Sequence, residues 1–564
     1  MSKHLPRTLV ESVLRKVAER PGAICFQAED DSGRRPVTHE AYHRDICALA
    51  RAMRGFGVEK GDRVAILARP SYEWEVCDKA IMLIGGISTG LDHKSTRDGL
   101  AHTLAIAEPV GLFVESASLC AQLPAAALDG LRFVCVLDGS RPDDRANAHD
   151  LAELLREHDD GTDVPCLAGP DDVGAIIFTS GTTGSPKGIP LRHHQMAAIL
   201  QPMQEIFPDE SGHRTIAWIP LHNSTGRFMG SGNYFMDVVQ YPLRDPYALL
   251  EQAKIVNPTY LVVMPRVLEK VYAGLQQRLA ERPAYMRAAV RALLGWRSSF
   301  KAGWVDALTD RMLIAKIRRA VWGDSIEFLI SGSAPVDAQI LRFFDSMGVP
   351  TYEVYAISEV GSLLTMNRPG RMRYGSVGEP MQGMALKIAP DGEVVVKTTA
   401  ALECYWGGDR TDLYDEDGYF RTGDLGELRD GYVYLTGRKK EIIKTSTGQR
   451  IAPVEVEQVY RSTPGLDQLM VIGNGRSYLT ALVTLEPEFA RKLEAEGRRA
   501  DDHVGECFER CCRALPANRQ IKRFTVLPEP FSVEGGEITA TLKLRRRVVE
   551  EKYASVIEAM YAKP

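Results

Sequence analysis

One stretch of small hydroxylated residues and glycines has the composition of a phosphate-binding loop. The segment TSGTTGSPKG, Thr179 to Gly188, follows the apolar run Val173–Phe178 and carries one cation, Lys187. A glycine-rich loop that leaves a buried strand can turn its backbone N–H groups toward an anion, and hydroxyl groups add donors. The spacing is not that of a Walker A loop, in which lysine directly follows glycine. A flexible connection is the alternative interpretation.

Three later residues have side chains that suit the rest of a nucleotide. Glu359, in TYEVYAISEVG, could hold Mg²⁺, a hard cation that prefers oxygen ligands and phosphate. Asp424, in YFRTGDLGEL, follows a glycine, and we expect it on a turn where its oxygens accept hydrogen bonds from ribose hydroxyls. Arg438, in YLTGRKKE, adds a cation. Each of them could instead be a solvated charge or one member of a strand-end ion pair.

The elements that must position these residues change character along the chain. Before about residue 380, strand-like runs are separated by long helical patterns, which is typical of layered α/β folds. These runs are Arg63–Leu67, Val173–Phe178, Tyr260–Met264 and Glu327–Ser331, and residues 267–322 are predicted to be mainly helical. Later strands are short and separated by turns, and a helix closes the chain. These elements are Glu393–Lys397, Tyr432–Thr436, Leu469–Ile472, Leu479–Leu485 and the helix Leu542–Tyr561.

We therefore predict an α/β protein with two domains. A large N-terminal domain of layered sheets and helices covers residues 1–439. A small α+β domain covers residues 440–564, with a boundary in GRKKE (437–441).

Composition excludes several classes of protein. Lys and Arg total 69 against 74 Asp and Glu, which argues against a nucleic-acid binder. Ten cysteines without a CxxC pair are too few for a disulfide framework, so we expect a cytoplasmic location. No apolar run approaches the ~20 residues of a membrane span. The stripe Val10, Val13, Leu14 and Val17 is predicted to pack on the protein's own core, although peripheral contact with a membrane stays open.

Six segments, in this order, resemble the adenylate-forming superfamily, which includes acyl-CoA synthetases, luciferases and the adenylation domains of peptide synthetases. They are Thr179–Gly188, SGSAP (331–335), YAISE (355–359), RTGD (421–424), GRKKE (437–441) and Lys543 within TATLKLRRR. The resemblance covers nearly the whole chain. Residues 257–272 and 539–561 look most like bacterial long-chain fatty acyl-CoA synthetases.

The resemblance implies which residues bind ATP. The β- and γ-phosphates would be gripped by Thr179, Ser180, Gly181, Thr182, Thr183, Gly184 and Lys187. Adenine would lie between the strip Ser333, Ala334 and Pro335 and the ring of Tyr355. Ser358 would stand near the α-phosphate and Glu359 would hold Mg²⁺, while Asp424 and Arg438 would contact the ribose.

The resemblance also implies residues for the two half-reactions. Lys543 would reach the carboxylate and the α-phosphate during adenylation, and Lys440 would be the hinge of the small domain. Gly448 would border the channel that admits the thiol of CoA. A lysine and Mg²⁺ can stabilise the charge that gathers on the phosphoryl oxygens. Moving the lysine away separates adenylation from thioester formation.

Two departures from the family pattern concern the acid. Ala356 stands where relatives often have glycine, which should leave the acyl pocket open but slightly narrower. In WIPLHNSTGR, Asn223 takes the place of a common histidine, and His222 precedes it. A His-Asn pair also occurs in aryl-acid-activating relatives. Asn223 could read a hydroxyl, amino or carbonyl group, or could simply cap the backbone.

We therefore expect an ATP-dependent acyl-CoA synthetase that activates a medium-to-long-chain or substituted fatty acid as acyl-AMP, with ATP, Mg²⁺ and CoA, as a monomer or homodimer. One alternative loads a fatty, aryl or amino acid onto the phosphopantetheine of an acyl carrier protein. A non-catalytic nucleotide-binding protein of the same fold is a further alternative. The presence of the charged residues Lys187, Glu359, Asp424, Arg438 and Lys543 argues against it.

Overall fold

The computed structural model describes residues 5–30, 33–140, 145–179, 186–207, 212–299, 315–408, 413–461, 463–513, 515–532, 535–538 and 544–562. Six of the predicted site residues lie outside this part of the chain. They are Ser180, Gly181, Thr182, Thr183, Gly184 and Lys543.

A seven-stranded, mainly parallel sheet carries both ends of the predicted phosphate loop. Its strands, in spatial order, are Ala148–Asp150, Phe133–Val136, Gly111–Val114, Arg63–Leu67, Ile87–Gly90, Val173–Thr179 and Lys187–Arg192. The last strand pairs antiparallel with its neighbour, and the others pair in parallel. Because helices cover both faces, runs such as RVAIL are almost continuously apolar and buried.

Three further sheets complete the large N-terminal part. A five-stranded sheet has the order Tyr260–Val263, Phe328–Ser331, Thr351–Ile357, Ser362–Met366 and Glu379–Pro380. A four-stranded sheet has the order Arg214–Ala217, Val239–Pro242, Ile24–Asp30 and Gly33–Thr38. An antiparallel sheet has the order Ala385–Ile388, Glu393–Lys397, Phe420–Arg429 and Tyr432–Arg438.

The helices of this part connect and cover the sheets. They are Leu9–Glu19, His39–Gly55, Tyr72–Leu83, Arg97–Ala107, Ala117–Cys120, Ala125–Leu128, Leu151–Glu157, His193–Ala197, Leu200–Ile206, Ser224–Phe235, Leu249–Val256, Pro265–Ala280, Ala284–Ser299, Ala315–Val321 and Ala338–Ser346. In the first helix, Val10 and Val13 are buried in the main hydrophobic core and Leu14 and Val17 pack against it, as predicted. No helix among the described residues has the length and apolar character needed to cross a membrane.

The C-terminal part is smaller and has its own core. Its strands are Ile443–Lys444, Arg450–Ile451, Leu466–Ile472, Leu479–Leu485 and Ile521–Val526. Its helices are Pro453–Tyr460, Pro487–Ala495, Ala500–Cys512, Arg546–Lys552 and Ala554–Tyr561. Separate apolar clusters lie on the two faces of its three-stranded sheet, one containing Val471 and Val483 and the other containing Met470 and Leu482.

The closing helix differs from the prediction. A single helix was expected over Leu542–Tyr561, but the described residues form two helices that meet at Tyr553. An isolated β-bridge also joins Ile538 and Leu544, which ends helical structure on the N-terminal side of Arg546. The predicted order along the chain, a large layered α/β part followed by a smaller α+β part, is confirmed.

Candidate active site

Tyr355, Asp424 and Arg438 form a hydrogen-bonded cluster. The Tyr355 hydroxyl donates to Asp424 Oδ2 at 2.6 Å, and Arg438 Nε lies 3.0 Å from Asp424 Oδ1. Asp424 was expected on a turn, which is wrong, because it lies within the strand Phe420–Arg429 directly opposite Arg438 on Tyr432–Arg438. The pairing of two adjacent strands therefore brings this acid and this base together.

Burial sets the electrostatics of this cluster. The pKa of Tyr355 lies well above its ordinary value because the ring is buried and Asp424 faces its hydroxyl. Burial alone would lower the pKa of Arg438, but the carboxylates of Asp424 and Glu441 raise it. Tyr355 thus remains a neutral donor and Arg438 a cation at neutral pH.

The two ends of the phosphate loop lie side by side. Thr179 and Lys187 are paired residues of neighbouring antiparallel strands. Lys187 Nζ lies 4.9 Å from the centre of the Tyr405 ring, and the Tyr405 hydroxyl donates to Glu359 Oε1 at 3.3 Å. The backbone N–H of Trp406 donates to the carbonyl of Gly188 at 2.9 Å. Tyr405 therefore links the phosphate-loop lysine to the predicted metal ligand.

Sequence reasoning did not find Tyr405. Its one signal in the sequence is the aromatic pair and double glycine of YWGG (405–408). This pattern alone does not indicate a function, and the contact with Glu359 appears only in the structure. Burial and Glu359 raise the pKa of Tyr405 to about 12, so its hydroxyl remains a donor.

Glu359, the predicted metal ligand, follows a strand of the five-stranded sheet. It belongs to a single 3₁₀ turn, Ser358–Val360, which directly follows the strand Thr351–Ile357, and it is half-buried. The carboxylate oxygens of Glu359 are hard ligands of the kind that Mg²⁺ prefers, so this residue fits the metal, and the Tyr405 hydroxyl would orient it.

The predicted adenine strip leaves the next strand of the same sheet. Ser333 and Ala334 are exposed after the strand Phe328–Ser331, and Ser333 has a φ of 74°, in the left-handed region. Val336, which follows the strip, donates its N–H to Glu353 Oε1 at 3.2 Å. Burial raises the pKa of Glu353 to about 7. This carboxyl lies beneath the strip and was not predicted.

Among the residues predicted to contact the acid, Asn223 is the N-cap of the helix Ser224–Phe235. Its Oδ1 accepts from the Gly226 N–H at 3.1 Å, so the capping interpretation is geometrically correct. Ser224 Oγ lies 2.8 Å from Ser358 Oγ, and sequence reasoning missed this contact. His222 is buried, whereas Ala356 is exposed.

The residues predicted for the hinge and the thiol channel lie in the C-terminal connection. Lys440 belongs to the 3₁₀ turn Lys439–Glu441. Gly448 has a φ of 80° in the turn between two short strands, and an added Cβ there would meet nothing within 4 Å. Neither residue contacts the Tyr355 cluster through a described hydrogen bond.

Arg546 makes contacts within the C-terminal part, and two ion pairs join that part to the large part. Arg546 Nη2 donates to both carboxylate oxygens of Glu457 at 2.7 Å, and its Nε lies 3.5 Å from Glu441. Arg461 pairs with Glu269 of the large part at 2.6 Å, and Arg266 pairs with Asp467.

Two family models match this arrangement of segments. The AMP-binding enzyme model matches residues 13–406, and the model of the AMP-binding enzyme C-terminal domain matches residues 440–564. The chain belongs to the AMP-binding enzyme family. As a member of this family it is an adenylating ligase.

Individual relatives support the same family. The chain is 31% identical over 577 residues to the long-chain-fatty-acid–CoA ligase FadD15 of Mycobacterium bovis, with 96% of this chain and 95% of that protein covered. The adenylation domain of a carboxylate reductase from Mycobacterium chelonae has a similar fold, with a TM-score of 0.81, 21% identity, and 99% and 91% of the two chains covered. The A-PCP didomain of a carboxylic acid reductase from Segniliparus rugosus, in complex with AMP, gives a TM-score of 0.79, 22% identity, and 100% and 83% coverage.

Proposed function

We propose that this AMP-binding enzyme is an acyl-CoA synthetase that activates a medium-to-long-chain or substituted fatty acid. The observation that carries the proposal is the convergence of four distant segments. Lys187, Tyr405, Glu359 and the Tyr355–Asp424–Arg438 cluster lie in one connected region. The similarity to a long-chain-fatty-acid–CoA ligase over 96% of the chain supports this choice of acid.

The first half-reaction joins the acid to AMP. A carboxylate oxygen attacks the α-phosphorus of ATP, the bond to the bridging oxygen breaks, and pyrophosphate leaves. In the proposed roles, Lys187 and Thr179 bind the leaving phosphates, and Asp424 and Arg438 hold the ribose. Mg²⁺, held by Glu359, would neutralise phosphate charge. Lys543 would approach the α-phosphate from the C-terminal domain.

The second half-reaction transfers the acyl group to CoA. The thiol loses its proton and its sulfur attacks the acyl carbonyl, and AMP leaves with the electron pair of the broken C–O bond. We assign residues 1–439 to the large domain and 440–564 to the mobile domain. In this assignment Lys440 is the hinge, and Gly448 borders the thiol channel.

Acid-dependent pyrophosphate release tests the first half-reaction, and mass measurement of the acyl-CoA product tests the second. The purified protein, given ATP, Mg²⁺ and a panel of fatty, aryl and amino acids, should release pyrophosphate only with an acid that it accepts. Adding CoA should yield the thioester. If a holo carrier protein is acylated and no acyl-CoA is formed, the acyl acceptor is the carrier protein and not CoA. No acid-dependent release with any acid would contradict the proposal.

A further inference from the structure

Three side chains of the large part offer the ligand set of a transition-metal ion. They are His43 and Cys47 in the helix His39–Gly55, and Asp163, which follows the helix Leu151–Glu157. One ring nitrogen, the sulfur and one carboxylate oxygen lie within 4.8 Å of one another. Among the described residues, none of the three side chains forms a hydrogen bond or ion pair with a residue proposed for ATP, Mg²⁺ or the acid.

The helix places His43 and Cys47 on the same face. Residues four positions apart lie one turn from each other in an α-helix, so their side chains are neighbours. Sγ of Cys47 lies 3.5 Å from Nε2 of His43. Both residues are buried, with exposed fractions of 8% for His43 and 2% for Cys47. Helix geometry and packing therefore fix this pair of potential ligands.

The distance between the sulfur and the nitrogen is that of two ligands of one zinc ion. A tetrahedral zinc ion lies about 2.3 Å from a thiolate sulfur and about 2.0–2.1 Å from an imidazole nitrogen. These bond lengths and a tetrahedral angle place the two ligand atoms about 3.5 Å apart. Zinc could therefore bind Cys47 and His43 without a change in the separation of the two atoms.

Arg51, one turn further along the same helix, holds the segment that carries Asp163. Its Nη1 donates to the carbonyl of His158 at 2.7 Å, and its Nη2 donates to the carbonyl of Thr162, the residue before Asp163. Arg51 also forms an ion pair with Asp160. The segment from His158 to Asp163 is therefore fastened to the helix, which fixes the position of the third ligand.

Asp163 has a free carboxylate, whereas the neighbouring Asp160 does not. Oδ1 of Asp160 accepts from the N–H and the hydroxyl of Thr162 at 2.9 and 2.7 Å, in addition to its ion pair with Arg51. Asp163 accepts no hydrogen bond from a described residue, and its Oδ1 lies 3.6 Å from Nδ1 of His43. Its side chain is 89% exposed, so an ion and a water molecule can approach from this side.

We propose that His43, Cys47 and Asp163 form a zinc site. The three protein ligands would leave the fourth tetrahedral position for water. Binding joins the sulfur of Cys47 to the metal, and the proton of the thiol passes to solvent. The ion would connect the helix His39–Gly55 to the segment that leads to the strand Val173–Thr179. Zinc would thus stabilise the large part, and the site does not depend on the proposed synthetase activity.

A nucleophilic Cys-His-Asp triad would use the same three residue types. Such a triad needs a thiol that reaches its substrate and donors for the oxyanion. Cys47 is almost completely buried, so a carbonyl group cannot approach its sulfur, whereas an ion needs only the space between the ligand atoms. Mg²⁺ and Ca²⁺ prefer oxygen ligands, so the sulfur favours zinc over these cations.

Zinc and cobalt binding test the proposal on the full-length protein after its metal has been removed with a chelator. Zinc is titrated in competition with a chromophoric chelator, and cobalt binding is followed by absorption. We expect one zinc site per chain, with an affinity that excess Mg²⁺ does not lower. With cobalt we expect a thiolate-to-metal charge-transfer band in the near ultraviolet. No stoichiometric zinc binding, or cobalt binding without this band, would overturn the proposal.

Variants then connect binding to these side chains. Asp163 is exposed, so Asp163→Asn should fold like the parent protein and lower the zinc affinity at least about tenfold. Asp159→Asn, in the same segment, is the matched control and should leave the affinity unchanged. Cys47→Ser should abolish the cobalt band, whereas Cys120→Ser, which changes another buried helical cysteine, should keep it. Unchanged zinc affinity in both Asp163→Asn and Cys47→Ser would contradict the proposal.

Two further outcomes would place the metal elsewhere. Asp92, His93 and His222 also offer ligand atoms within 4.8 Å of one another. Zinc that is lost in His93→Gln but retained in Cys47→Ser would assign the ion to that second cluster and overturn the proposal. A metal-bound thiolate is shielded from alkylation, so zinc should slow the reaction of Cys47 with iodoacetamide. An equal rate of alkylation with and without bound zinc would show that this sulfur is not a ligand.

Discussion

Among the residues proposed for the nucleotide, the two carboxylates have hydrogen-bond or ion-pair partners within the protein. Asp424 has two partners, Tyr355 and Arg438, and Glu359 accepts from Tyr405. On the acid side, His93, His222 and Asn223 each keep a buried nitrogen without a partner among the described residues. The groups proposed for the nucleotide are therefore held in place by one another. The two sets of side chains are thus built differently.

Of these substitutions, Asp424→Ala should lower the activity most, because it disrupts the proposed nucleotide site. The substitution removes the proposed ribose acceptor and leaves the Tyr355 hydroxyl and Arg438 without their shared partner. We expect kcat/KM for ATP to fall at least about a hundredfold. Asp430→Asn, which removes a carboxylate from an exposed ion pair with Arg373, is the control and should change kcat/KM by less than twofold. Equal effects of the two substitutions would contradict the role given to Asp424.

Glu353→Gln tests a buried carboxyl group of which only Oε1 has a hydrogen-bond partner among the described residues, in contrast to the carboxylate of Asp424. Between its ordinary pKa of 4.5 and its folded pKa of about 7, the unfolded chain ionises while the folded protein does not. Glu353 therefore stabilises the folded protein below this window relative to above it. With about 1.4 kcal/mol for each pKa unit, the loss on raising the pH from 4 to 8 is about 3 kcal/mol.

The Gln variant keeps the acceptor for the Val336 N–H and has no charge to bury. Its Tm relative to the parent protein should therefore rise when the pH is raised from 5 to 8. Glu427→Gln changes an exposed glutamate and should show no such trend. A Tm difference that does not depend on pH would refute the buried ionisation.

Tyr405→Phe tests the link between the phosphate loop and Glu359. The ring beside Lys187 is kept, and only the hydroxyl that donates to Glu359 is lost. Loss of this hydrogen bond would leave the Glu359 carboxylate less fixed in the position proposed for Mg²⁺, so we expect kcat to fall about tenfold, which corresponds to about 1.4 kcal/mol. The Mg²⁺ concentration needed for half-maximal rate should rise as well. Tyr405→Leu, which also removes the ring, should lower kcat further, and an unchanged Mg²⁺ dependence in both variants would rule out the link.

Ala356→Gly should have the smallest effect. It tests whether this side chain limits which acids are accepted. A methyl group against a rigid wall alters selectivity by about 1–3 kcal/mol. The Ala356 side chain is exposed, so neighbouring groups can adjust. We expect the ratio of kcat/KM between long and short acids to change less than about fivefold. A larger change would show that Ala356 faces a closed wall when acid is bound.

Much of this architecture is predictable because each element is encoded locally. The strand Val173–Thr179 and the helix Tyr72–Leu83 follow from apolar runs and capping residues within a few positions. The residues proposed for the nucleotide could be predicted because each lies in a short recognisable segment, and the structure brings Tyr355, Asp424 and Arg438 together. Asp424 was placed on a turn because a preceding glycine normally suggests one, yet pairing with Arg438 keeps it in a strand.

The missed contacts share one physical reason. Tyr405 meets Glu359 across 46 positions, Ser224 meets Ser358 across 134, and Val336 meets Glu353 only because two parallel strands lie side by side. These contacts depend on sheet order and register, which local patterns do not specify. The unpaired nitrogen atoms of the acid side were equally invisible, since the lack of a partner is a property of the packed structure.

The bidentate contact of Arg546 with Glu457 has a mechanical consequence. Arg546 stands three residues after Lys543, and it also reaches Glu441, which is next to Lys440. The chain beyond Lys543 is thus fastened to the segment that begins at the proposed pivot. A rotation at Lys440 would carry Arg546 and Glu441 through the same angle, so the segment that begins at Arg546 would move together with the rest of the C-terminal part.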